Sequence, residues 1–282
     1  MQLIRSPLQM SRLAQRLRRQ GRSIGLIPTM GALHEGHLSL VRAARRQTDV
    51  VVVSIFVNRL QFGPKEDYAR YPRNLPRDLR LLRPEGVAVV FSPEVRAMYP
   101  LGFHSRIEVK GLSDILEGRA RPGHFRGVAT VVGQLFHLAQ PTVAYFGQKD
   151  YQQARIIQQM VHDLHWPMRI RVMPTVREPD GLAMSSRNLY LSAEERRQAV
   201  ALSQALRDAR RRILDGERRA AAIIAAMRRQ IRRFPLVRVD QLACVDADTL
   251  ASRLRLRGRV AVLGSVQIGR TRLIDNVLVD VP

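Results

Sequence analysis

Two histidines three residues apart, His34 and His37, stand in the run Ile27-Pro28-Thr29-Met30-Gly31-Ala32-Leu33-His34-Glu35-Gly36-His37-Leu38. The run begins where a strand pattern ends and opens a helix pattern. In an open α/β sheet, ligands bind at the carboxyl ends of strands. A helix N-terminus placed there offers unpaired N–H groups and a partial positive charge to an anion. Gly31 and Gly36 let a ligand approach the backbone, and two imidazoles at this spacing can address one spot. An imidazole so placed can donate a hydrogen bond to a phosphoryl oxygen as negative charge builds there. The same pair is also compatible with a metal site that has no clear third ligand, or with two side chains that only cap and pack the turn. The run is neither a G-x-G-x-x-G nor a Walker A sequence, so neither dinucleotide nor P-loop binding is indicated.

Three further clusters bear polar groups suited to the same chemistry. Phe146-Gly147-Gln148-Lys149-Asp150 again joins a strand pattern to a helix pattern, and Lys149 offers a compact charge for a phosphate. Only Lys65, Lys110 and Lys149 are lysines among 47 cations, so a lysine at this point stands out from an arginine-biased background. Gly181-Leu182-Ala183-Met184-Ser185-Ser186-Arg187-Asn188 puts two hydroxyls and a guanidinium in a loop, a set able to neutralise a departing pyrophosphate. Asn58 and Gln61, after the second strand pattern, can orient a small polar substrate by directional hydrogen bonds. Taken singly, each cluster also reads as an ordinary solvent-facing cation or polar loop.

These groups need a frame. Strand patterns at 24–28, 50–56, 87–91, 143–146 and 168–173 alternate with helical patterns at 37–47, 74–83, 127–139 and 152–164, with a short segment at 116–118 between them. That order predicts βαβ units and a Rossmann-like, doubly wound, mainly parallel sheet over residues 1–174. After Pro174 the texture changes. Arg-rich helices are expected at 192–215 and 217–234, broken at Gly216, with Ser192 as N-cap and Glu195 three residues on. Strands follow at 237–246, 259–264 and 272–281. The chain reads as α/β with a second, smaller α+β domain at 175–282, a lid over the first. The acid-free, Arg-rich segment 1–20 superficially resembles a transit peptide, yet it leads directly into a core strand and reads as a structural first helix.

Composition narrows the class. With 282 residues, 45% of them hydrophobic, the chain can bury a real core. The single Cys244 rules out an intramolecular disulfide framework, and no apolar run reaches membrane-spanning length, which together favour a cytoplasmic protein with no membrane partner. The net charge of +23 invites a nucleic-acid reading through the helices near residues 196–233. But 44 of the 47 cations are arginine and aromatics are only 5%, which favours solvated helix faces over a specific nucleic-acid site.

Taken in order, P-T-M-G-A-L-H-x-G-H, F-V-N-x-x-Q-F, R-P-G-H-F-R-G-V, F-G-Q-K-D-Y-Q-Q and S-S-R-N make the chain resemble the pantothenate synthetase (pantoate–beta-alanine ligase) family. That family lies within the nucleotidyl transferases that share H-x-G-H with class I aminoacyl-tRNA synthetases. The likeness runs from about Ile24 to Arg272-Leu273-Ile274-Asp275-Asn276. It implies ATP-dependent condensation of (R)-pantoate with beta-alanine through a pantoyl-adenylate, in pantothenate and coenzyme A biosynthesis. It implies an ATP site at Met30, Gly31, Ala32, Leu33, His34, Glu35, Gly36 and His37, with His37 as general acid. The same likeness adds Gly147, Gln148, Lys149, Asp150, Val176, Met184, Ser185, Ser186 and Arg187 to that site, with His34, Lys149 and Arg187 also catalytic. Gln61, Gln153 and Asn58 would hold pantoate, Gln61 also lying near beta-alanine. It further implies Mg²⁺, with Asp78 as an indirect contact, and a homodimer. Arg59 and Gln148 depart from the proline and glutamate of many relatives. Another H-x-G-H nucleotidyl transferase, acting on a different acceptor, would share the first motif without needing Gln61 or Gln153.

Overall fold

The computed structural model describes residues 1–64 and 66–281. Lys65 and Pro282, the latter the last residue of the expected second domain, lie outside the described residues. The chain forms two compact units: Met1–Gly147 with Gln152–Pro174, and Gln148–Tyr151 with Thr175–Pro282. Residues 148–151, placed by sequence order inside the first domain, pack with the second unit.

In the first unit the order is β1 (Gln2–Ile4), α1 (Pro7–Arg19), β2 (Ile24–Thr29), α2 (Glu35–Arg45), β3 (Val50–Ile55), α3 (Leu75–Leu82), β4 (Val89–Phe91), α4 (Val95–Met98), α5 (Glu117–Ala120), α6 (His124–Ala139), β5 (Val143–Gly147), α7 (Tyr151–Asp163) and β6 (Arg169–Met173). The six strands form one parallel sheet in the order β1-β4-β3-β2-β5-β6. Successive side chains leave a strand on opposite faces, and β3 shows the consequence. Val50 and Val52 enter a core with α1, α6 and α7, whereas Val51 and Val53 enter a second core with α2 and Leu82 of α3. Both faces are covered, so the sheet is doubly wound, as the alternation of patterns required. Segment 1–20 contributes a strand as well as a helix. The short segment near 116–118 enters a single helical turn, α5, after Leu116 at φ +49°.

The second unit continues with α8 (Ala193–Gln198), α9 (Ala201–Leu214), α10 (Ala220–Ile231), β7 (Val237–Asp246), β8 (Gly258–Ile268) and β9 (Thr271–Val281). The three strands form an antiparallel sheet, β7-β8-β9, and α9 and α10 cover the face that carries Val260, Val262, Val266 and Ile268. The single helix expected over 192–215 is two, α8 and α9, with Ala199 and Val200 between them. Ser192 and Glu195 form the capping box that their spacing implies. Several arginines of this unit have acidic partners, Arg211 and Arg212 on Asp208 and Arg219 on Glu217, in keeping with solvated faces. Cys244 is buried, and burial pushes its thiol up to about 12, so it behaves as a small core residue. No helix among the described residues is long and apolar enough to cross a membrane.

Candidate active site

β2 and β5 are neighbours at the point where strand order reverses, with β3 to one side of the pair and β6 to the other. Ligands of open α/β sheets bind at the carboxyl ends of strands at such a switch point. The first histidine run leaves β2 there and Gly147 ends β5 there.

The turn after β2 is held from three sides. Thr29 Oγ1 donates to Ser54 O at 2.7 Å and accepts the Gly31 N–H at 3.1 Å. Gly31 and Ala32 then take φ +80° and +50°, the left-handed region that costs a residue with a Cβ roughly 1–2 kcal/mol. Asp78, on α3 and only 1% exposed, secures that turn: its two carboxylate oxygens accept the N–H groups of Ala32 at 3.0 Å and Leu33 at 2.9 Å. Burial raises the Asp78 carboxyl above its ordinary range, against the two amide bonds, which favour the charged form. A Cβ on Gly31 would stand 2.9 Å from Asp78 Oδ2. The carboxylate expected as an indirect metal contact is thus the anchor of the histidine turn.

His34 is the N-cap of α2 and His37 its third residue, and the two form a capping box built from imidazoles. His34 Nδ1 accepts the Gly36 N–H at 3.2 Å, and His37 Nδ1 accepts the His34 N–H at 3.3 Å. A neutral imidazole whose Nδ1 accepts carries its proton on Nε2. Both rings therefore keep a donor atom on the side away from the cap. Glu35, in the same turn, pairs with Arg42 on α2.

Asn58 and Gln61 meet the turn directly. Gln61 Nε2 lies 3.3 Å from Met30 Sδ, and Gln61 Oε1 accepts Asn58 Nδ2 at 2.9 Å. Asn58, 1% exposed, also donates to Gly127 O at 3.0 Å and accepts the Tyr99 hydroxyl at 2.6 Å. His124 Nδ1 lies 2.8 Å from Gln61 O, and Arg121 Nη1 lies 3.0 Å from His124 Nε2. Arginine only donates, so Nε2 accepts and Nδ1–H donates to the Gln61 carbonyl. Arg121 in turn forms a bidentate pair with Glu66 at 2.6 and 2.7 Å. Gln153 is half-buried in the first turn of α7. Its neighbour Gln152 is buried and bonds Leu112 O, Ile115 O and the Glu117 N–H, which fixes the loop before α5.

Gln148, Lys149 and Asp150 form one turn of 3-10 helix in the second unit, where Val176, Met184 and Ser185 to Arg187 also lie. Met184 N–H donates to Val176 O at 3.0 Å, closing a hairpin that delivers Ser185. Ser185 Oγ caps the following 3-10 turn by accepting the Arg187 N–H at 3.3 Å. Lys149, Ser185 and Asp275 line one small recess of this unit.

The family model for pantoate-beta-alanine ligase matches residues 2–278. The chain belongs to that family. It is 56% identical to the pantothenate synthetase of Moorella thermoacetica over 94% of this chain and 93% of that one, and 51% identical to that of Thermotoga neapolitana over 99% of each. The crystal structure of pantoate-beta-alanine ligase from Thermus thermophilus superposes with a TM-score of 0.94 at 46% identity, covering 98% of this chain and 99% of that one. A pantoate-beta-alanine ligase from Francisella tularensis, complexed with beta-gamma ATP and beta-alanine, matches at TM-score 0.80 and 35% identity, over 99% and 97% of the two chains. The reaction of the family is the ATP-dependent condensation of pantoate with beta-alanine, so the chain is an amide-forming ligase of pantothenate biosynthesis.

Sequence reasoning did not single out Thr29, Tyr99, Gln152 or the Glu66–Arg121–His124 chain behind Gln61. The motif R-P-G-H-F-R contains two of the last three, but nothing in it points to a carboxylate 55 residues away.

Proposed function

We propose that the ligase converts ATP, (R)-pantoate and beta-alanine to pantothenate, AMP and pyrophosphate through an enzyme-bound pantoyl-adenylate. A carboxylate is unreactive toward an amine because its leaving group would be oxide. An oxygen of the pantoate carboxylate attacks the α-phosphorus, the bond to the β-phosphate oxygen breaks, and pyrophosphate leaves. The beta-alanine nitrogen then attacks the acyl carbon, AMP departs, and the nitrogen loses its proton to solvent. The barrier to the first step falls by positioning and charge neutralisation.

The observation that carries this reading is the imidazole capping box. With Nδ1 of both rings engaged, His34 and His37 act as neutral Nε2–H donors to phosphoryl oxygens, which replaces the general-acid role for His37 with that of an oxyanion donor. Met30 to His37 line the nucleotide, together with Gly147 to Asp150, Val176 and Met184 to Arg187. Lys149, Ser185, Ser186 and Arg187 take up the charge of pyrophosphate. Asn58, Gln61 and Gln153 hold pantoate, Gln61 also serving beta-alanine.

Magnesium enters with the nucleotide, held by its phosphates, as is usual for this ion. The protein groups do not fit a protein-held site: both oxygens of Asp78 hold amides, and no group of three His, Cys, Asp or Glu able to hold a metal occurs among the described residues. The reading carries with it a cytoplasmic homodimer, tested by molar mass in solution. Product formation from ATP, pantoate and beta-alanine, each omitted in turn, tests the reaction. Pyrophosphate released with ATP and pantoate alone supports the adenylate, and release that requires the amine refutes it.

A further inference from the structure

A lysine side chain has four rotatable bonds, and its charge serves a phosphate only where its backbone is held. In this chain the holding group comes from β9. Asn276, 2% exposed, turns its whole amide onto the Lys149 loop: Nδ2 donates to Gln148 O and to Lys149 O, each at 2.9 Å, and Oδ1 accepts Gln148 Nε2 at 3.2 Å. All the donor capacity of that side chain is used on two consecutive carbonyls. Asp275, the preceding residue and 5% exposed, accepts Arg177 Nη1 at 2.6 Å and Nη2 at 3.0 Å. Arg177 Nη1 also donates to Gly181 O at 3.1 Å, and Arg177 pairs across the hairpin with Ala183, two residues before Ser185. Successive side chains leave a strand on opposite sides, so one dipeptide can brace two loops at once.

We propose that Asp275-Asn276 is the positioning element of the phosphate side of the site. Asn276 sets the backbone of Lys149, and Asp275, through Arg177, sets the hairpin that delivers Ser185. This rests on the reading of Lys149 as a phosphate-binding group. The placement of Lys149, Ser185 and Asp275 around one recess gives the two braces a common purpose. A buried asparagine that served the fold alone would have no reason to use its amide on the two carbonyls beside the only lysine of the cluster.

The test is a double-mutant cycle on the full chain, read as pyrophosphate release from ATP and pantoate. Asn276→Ala is expected to lower kcat by about tenfold or more, the scale on which a misplaced group fails. In a Lys149→Ala background the same change is expected to cost less than about twofold, since a group already absent cannot be misplaced. Equal losses in the two backgrounds overturn the proposal and leave Lys149 in its role. Wild-type release by Lys149→Ala alone overturns instead the reading beneath it. Asn276→Ser, which keeps a polar group at the buried position, carries the same cycle if circular dichroism shows that Asn276→Ala does not fold.

Discussion

His37 accepts the backbone N–H of His34 on its Nδ1 at 3.3 Å, with the two ring centroids 4.1 Å apart. One nitrogen of each ring therefore shapes the helix start, and the other, Nε2, is the one that can serve a ligand. Asparagine matches the reach of Nδ1 and glutamine that of Nε2, so the two tasks can be separated. His37→Asn should keep a melting temperature near wild type and lose pyrophosphate release by roughly a hundredfold, the scale of one oxyanion donor. His37→Gln should retain more activity while losing about 0.5–2 kcal/mol of stability with the cap. Activity in the reverse order would show that the cap, and not the donor, is what catalysis needs.

The Asp78 carboxylate joins α3 to the amides of Ala32 and Leu33. Asparagine is isosteric but offers one acceptor atom, and its NH₂ would face the second amide. Asp78→Asn is expected to cost about 1–3 kcal/mol, the penalty of an unsatisfied buried donor, and to reduce adenylate formation together with stability. Denaturant titration beside single-turnover pyrophosphate release measures both. Loss of stability with unchanged release would separate this turn from the chemistry.

Gly127, in the first turn of α6, lies against the loop that carries Gln61. A Cβ there would stand 2.3 Å from Leu60 O and 2.6 Å from Gln61 N, both backbone atoms. Gly127→Ala should therefore push the loop, at a cost of about 1–3 kcal/mol for overpacking. The KM for pantoate is expected to rise more than that for ATP, as seen by varying each substrate in turn. An equal rise in both would argue against Gln61 as a pantoate contact.

The Glu66 carboxyl is penalised by burial, but its bidentate bond to Arg121 and the attraction of that charge prevail and hold it below the ordinary range. A depressed folded value means stability that is present above the unfolded pKa of about 4.3 and is lost as pH falls through the lower folded value. Melting temperature followed downward from about pH 5 should fall in wild type, and this component should be missing from Glu66→Gln. Parallel profiles would show that the pair contributes nothing to the acid limb.

The frame of the molecule was legible because the strands are near-continuous apolar runs and the helices between them are amphipathic, a pattern that few folds other than a doubly wound sheet satisfy. β1 escaped notice because three residues with one buried side chain, Ile4, are too short to show alternation. The break between α8 and α9 escaped because apolar spacing runs on through Ala199 and Val200 while the hydrogen-bond ladder does not. Within the site, residue types near a strand end could be recognised locally. Their supports could not: Asp78 lies 46 residues from Ala32, and Asn276 lies 127 residues from Lys149. Such partners are fixed by topology, which a linear pattern does not contain.

The excursion of residues 148–151 into the second unit means that the chain passes between its two units three times, at 147/148, 151/152 and 174/175. No single cut separates them. A fragment beginning at Thr175 would carry Asn276 without the Gln148 and Lys149 carbonyls it grips, and a fragment ending at Pro174 would carry Lys149 with its brace gone. The small sheet is therefore no detachable module: by gene fusion, permutation or recombination at that boundary, the two parts can be inherited only together.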